Sequence, residues 1–190
     1  MKTLKYLSLA LTLLLFSCGG DEEVVYDEQE KAADVPTADY DEISAELDSM
    51  ELALAKNPKD QELMKKTITR MQDFVHFFPE DPKSPNYLFK ASDFSLQVNA
   101  PAKSVKLLDR IIAEYPDYNR MIDVEYNKAS HLDWELRDTT RAKEAYQTFI
   151  DKYPNDNRAQ DAAIRIKYIR YGWDEYTNMI FEGKIEPVVQ

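Results

Sequence analysis

The chain has four glycines in 190 residues, Gly19, Gly20, Gly172 and Gly183, and none lies between Asp21 and Tyr171. Glycine lets a backbone take positive φ or approach a ligand closely. A phosphate-binding loop, a dinucleotide-binding turn and a nucleophile elbow each depend on it. None of these can be built in the body of this chain. Tight Asn-Gly and Asp-Gly hairpins are missing from the same stretch, and with them the strongest short-range sign of paired strands. The body is expected to be all helix.

Apolar residues recur there with helical spacing. Tyr40, Ile43, Leu47, Met50 and Leu54 step by three and four along one face. Asn57-Pro58-Lys59-Asp60 interrupts them, because proline disfavours helix in the residue before it. Asp60 can cap a second helix carrying Met64, Ile68, Met71, Val75 and Phe78. Ser84-Pro85 reads as a cap followed by proline at the first helical position, ahead of Leu88, Ala91, Phe94 and Val98. Asn99 and Pro101 open a fourth helix with Val105, Leu108, Ile111, Ile112 and Tyr115 inward. A fifth carries Ile122, Tyr126, Ala129, Leu132 and Leu136, and a sixth Ala142, Ala145, Tyr146, Phe149 and Tyr153. The seventh shows Ala159, Ala162, Ala163, Ile166 and Ile169, with Gly172 placed to end it. Trp173, Tyr176 and Ile180 mark a short amphipathic piece suited to capping the array.

These helices repeat. An aromatic residue followed by proline occurs at Pro79, Pro116 and Pro154, at intervals of 37 and 38 residues. On the longer shift, Leu107, Leu108, Ile111, Ile112 and Tyr115 fall on Ala145, Tyr146, Phe149, Ile150 and Tyr153, and Lys90-Ala91-Ser92 falls on Lys128-Ala129-Ser130. A period of about 34–40 residues built from two helices is the signature of a helical solenoid. The segments FIDKYPNDNRAQDAAIRI and IIAEYPDYNRMIDVEYNKA share a helix ending Ile-x-x-x-Tyr-Pro, a polar turn and an alanine-containing helix. In these the chain resembles the tetratricopeptide-repeat superfamily, and most of all its degenerate form in BamD-type outer-membrane assembly lipoproteins and Tol-Pal-associated periplasmic proteins. The resemblance covers roughly residues 60–170 and implies an all-α solenoid of antiparallel helix pairs, about three and a half repeats; the repeat domain is read as residues 38–182, with residues 183–190 a tail. The resemblance also implies that the first helix of each pair lines a concave face where extended peptides or partner helices dock. Met121, Val124, His131 and Trp134 form a second line beside the main stripe of the fifth helix and are the candidate partner contacts; packing against the preceding repeat is the alternative.

The start of the chain carries a different message. Lys2 and Lys5 lead into YLSLALTLLLF, residues 6–16, which holds no charge. About eleven helical residues reach roughly 16 Å, too short for a hydrocarbon core of about 30 Å. The run reads as the core of a secretory signal over residues 1–17. It ends in Leu15-Phe16-Ser17-Cys18, which resembles the bacterial lipobox, and Cys18 is the one cysteine in the chain. The reading is lipid attachment at Cys18; a signal peptide with an incidental cysteine is the alternative. Residues 18–37 come next as an acidic, disordered stalk with Lys31 as its single cation, which cannot bury enough apolar surface to offset ordering. It is either a solvated spacer or a surface-export signal.

The formal net charge is −11, and removal of Lys2 and Lys5 with the signal makes it more negative. That argues against nucleic acid, whose binding draws on Lys and Arg. His76 and His131 are the only histidines and lie on different helices, so no metal site and no cofactor is expected. The carboxylates sit mainly on helix faces turned from the apolar stripes, and nothing in their pattern points to catalysis. The expectation is a non-catalytic adaptor on the outer membrane, on its periplasmic or surface face, binding envelope proteins concerned with outer-membrane assembly or export. A surface lipoprotein that binds glycan or peptidoglycan is the rival reading.

Overall fold

A computed structural model describes residues 39–185, and among them are eight α-helices and no strand. The signal, Cys18 and the whole acidic stalk lie outside the described residues. Helix α1 spans Tyr40–Lys56, α2 Gln61–Phe77, α3 Ser84–Gln97, α4 Pro101–Glu114 and α5 Met121–Ser130. Helix α5 runs on into a π turn, His131–Glu135, and is succeeded by α6 Thr139–Lys152, α7 Arg158–Tyr168 and α8 Trp173–Phe181. From α1 to α7 each helix packs on the next in chain order. The result is the expected all-α, solenoid-like stack of helix pairs.

The helix ends show how a chain without internal glycine makes its turns. Asp39, Asp60 and Asp138 cap α1, α2 and α6, each accepting backbone N–H groups of the first turn. After α3, Asn99 takes φ of 56° while the N–H of Ala100 reaches the carbonyl of Ser95 at 2.8 Å. This is the left-handed helix stop usually made by glycine, here made by asparagine. Ser84 does not cap α3. It is buried inside the first turn, and its hydroxyl donates to the carbonyl of Phe78 at 2.6 Å. Gly172 likewise does not end α7, which stops at Tyr168, but stands before α8 in an extended conformation.

The repeat is visible in the backbone itself. Phe78, Tyr115 and Tyr153 end α2, α4 and α6 with φ of −128°, −132° and −128° and ψ of 58°, 58° and 56°. Each donates its N–H four residues back, to Phe74, Ile111 and Phe149. Proline comes after each aromatic residue, removes the next donor and so stops the helix.

Two apolar clusters fill the stack. The first joins α1 to α4 through Leu47, Ile68, Met71, Phe74, Leu88 and Leu108, and the second joins α5 to α7 through Leu132, Ala142, Tyr146, Phe149 and Ala162. They interlock, because Val124 of α5 lies in the first and Val105 of α4 in the second. Helix α8 is held by Tyr176, buried at 5% exposure, while the side chain of Trp173 lies outside the described residues. Residues 183–185, expected as the start of the tail, turn back: the N–H of Lys184 donates to Met179 at 2.8 Å and Ile185 is buried. No described helix is long and apolar enough to cross a membrane.

Candidate functional site

The line of Met121, Val124, His131 and Trp134 lies along the seams between helix pairs. Val124 is fully buried among residues of α1–α4, and Met121 packs partly buried against the same cluster. His131 is 8% exposed, with its Nδ1 at 3.0 Å from the Ser104 hydroxyl of α4. Burial pushes its pKa down to about 4 and keeps the ring neutral near pH 7. Trp134 is half-buried, with the Arg165 guanidinium 3.9 Å from its ring centroid and the Tyr176 ring at 6.1 Å. Val124 and His131 are therefore corrected to interior residues. Trp134 is a packing residue that keeps part of its surface in solvent. The cause is that α5 is covered on both sides: Val124 and His131, seven residues apart and so on one regular helical face, lie against the preceding helices, while α6 covers the main stripe. The π turn comes after them, and its wide hydrogen bond, Leu136 N–H to His131 carbonyl at 3.1 Å, adds a residue and rotates the side chains beyond it out of the simple helical register.

The same turn brings in Asp133, wholly buried on the seam with α7. Arg165 meets it with two parallel bonds, Nε at 2.6 Å and Nη2 at 2.7 Å. The Tyr146 hydroxyl approaches the same carboxylate at 3.4 Å. Helical spacing had placed Ala163 inward and said nothing of Arg165; the structure exposes Ala163 and buries Arg165 at 1% exposure. Tyr126 donates to Asp161 of α7, and burial together with that carboxylate holds its pKa far above the usual phenol value. These polar ties fix α7 on α5; they are structural in geometry and present no open reacting atom.

Open surface occurs elsewhere. The turn from α2 to α3 and the turn from α4 to α5 face each other across a cleft of about 710 Å³. Its walls include Pro79, Pro82, Pro85, Pro116, Tyr115 and Tyr118. The Tyr115 hydroxyl donates to the Pro79 carbonyl at 3.0 Å and joins the two turns. The charged residues of the lining are Glu80, Asp81, Glu114 and Asp117, all acidic. The sequence displayed its signal, the recurring aromatic-proline turn, but only as a stop for helices. Among the described residues no group of three or more His, Cys, Asp or Glu is placed to hold a metal ion. His76 is exposed on α2.

Residues 126–156 match the tetratricopeptide repeat. The match runs from Tyr126 through the π turn and α6 to Asp156, so one tetratricopeptide unit coincides with the α5–α6 pair and its Tyr-Pro turn. The other pairs share the helix stop at Phe78 and Tyr115 without being matched. No curated protein and no solved structure matches the chain. Tetratricopeptide arrays are extended scaffolds that bind through their surface, and a role in protein interaction is supported at that level.

Proposed function

We propose that this chain is a lipid-anchored, non-catalytic adaptor of the bacterial envelope, held on the outer membrane by lipid on Cys18 and binding another envelope protein through its helical repeats. Outer-membrane assembly or export is the setting that suits it. The order of the parts supports this: an apolar run ending Leu15-Phe16-Ser17-Cys18, an acidic spacer, then a stack of helix pairs containing a tetratricopeptide match. Each buried lipid methylene contributes about 0.8 kcal/mol, and two or more chains make a stable anchor. Tethering then raises the effective concentration of the repeats at the membrane without adding a contact.

The anchor has a direct test. Cys18→Ser is expected to abolish incorporation of labelled palmitate and to release the protein from washed membranes. Palmitate labelling that survives in this variant would refute lipid attachment at Cys18.

A further inference from the structure

We infer that the cleft between the Phe78-Pro79 and Tyr115-Pro116 turns takes an extended lysine- or arginine-bearing segment of a partner protein. The inference rests on the adaptor reading and gives the partner a chemistry. A volume of about 710 Å³ lies within the range of about 300–1,000 Å³ typical of ligand-binding clefts. Proline and tyrosine rings form apolar walls suited to an extended segment, as in other grooves that receive extended chains. Their rotamers are few, so binding orders little that is not already ordered. The two turns are also fixed in advance, by the Tyr115 bond to Pro79 and by the Ser84 hydroxyl on the Phe78 carbonyl.

Charge selects the occupant. Among the described residues neither Glu80 nor Asp117 takes part in an ion pair, whereas Glu114 is paired with Arg110 at 2.7 Å. The cations nearest in sequence are already engaged: Lys83 sits 5.6 Å over the Tyr40 ring, and Arg120 lies on the Phe89 ring at 4.2 Å and pairs with Asp123 at 3.0 Å. The cleft therefore presents unneutralised carboxylates beside ring faces. A long cationic side chain satisfies both, laying its methylenes along the rings and its charge on the acids. The chain's own leading segment has the wrong sign, with Lys31 as the single cation among the acids of residues 18–37. A second copy, at net charge −11, is disfavoured for the same reason.

The test uses the full lipidated chain in mild detergent and fluorescently labelled peptides of three Lys-Pro-Pro, Gln-Pro-Pro or Glu-Pro-Pro units. Fluorescence anisotropy should show the lysine peptide binding at least tenfold tighter than the glutamine peptide at low salt, with the advantage lost at high salt. Glu80→Gln combined with Asp117→Asn should weaken the lysine peptide at least tenfold. Glu135→Gln combined with Glu144→Gln removes the same charge from exposed positions elsewhere and should change it less than twofold. Helicity by circular dichroism should be the same in both variants, since all four side chains are exposed. Equal binding of the lysine and glutamine peptides, or equal weakening by the two variants, overturns the inference. The adaptor reading is judged separately. Envelope proteins that copurify undiminished with the Glu80/Asp117 variant leave that reading standing and place recognition outside the cleft.

Discussion

Arg165→Ala is expected to destabilise the folded domain by about 3–5 kcal/mol, because it strands the Asp133 carboxylate in the interior. Asp133 has no exposure and Arg165 has 1%, and the two-point contact at 2.6 and 2.7 Å is the carboxylate's main compensation. The loss does not measure what the pair contributes. Removing both charges together, with Arg165→Met and Asp133→Leu, should cost far less than the single change, since desolvation of the ions largely offsets their attraction. The pair is already imperfect, for Arg165 Nη1 is buried without a hydrogen-bond partner. Its other face is covered by Trp134 at 3.9 Å and Tyr176 at 5.0 Å, so the same substitution loosens α8. Trp134→Ala acts on the same cluster and belongs with the stability variants. Thermal melts should show a fall of roughly 6–20 °C for Arg165→Ala. A loss under about 1 kcal/mol would mean that water reaches Asp133.

The second large effect is at Phe149. Its side chain has no exposure and lies between the Tyr126 and Tyr153 rings, each 5.2 Å away between centroids. Phe149→Ala should cost about 3–5 kcal/mol through lost burial and the cavity left behind. Phe149→Leu should recover most of this, because it refills most of the space. Ile111 is its counterpart one repeat earlier and is equally buried. Chemical denaturation of both variants reads the effect directly. A loss of the size seen for surface substitutions, within about 0.5 kcal/mol, would break the alignment of the repeats.

Those two residues mark what the sequence makes legible and what it hides. Phe149 is readable because helical spacing and the 38-residue shift both place it inward. Local rules also carry the caps at Asp60 and Asp138 and the stops at Phe78, Tyr115 and Tyr153. Arg165 and Asp133 are not readable. Charge on a helix is normally solvated, and nothing periodic joins two residues 32 apart. The π turn that holds Asp133 is equally silent in the sequence. The line read on α5 as partner-binding is used largely for packing, because α5 has a neighbour on each side, α4 and α6, and one sequence stripe shows only one of them. The cleft escaped for another reason: its walls come from two turns that meet only after α3 and α4 have stacked.

In the proposed role this molecule works by holding another envelope protein at the membrane. The mass and composition of the intact lipidated chain, extracted in mild detergent, address that role without any intermediate assumption. Size-exclusion chromatography with mass spectrometry reads both. Co-elution with an envelope protein in fixed proportion is expected, absent from a control extract of an unrelated lipoprotein of similar charge. A chain that elutes alone, at the mass of the lipidated protein in its micelle, would refute the adaptor role.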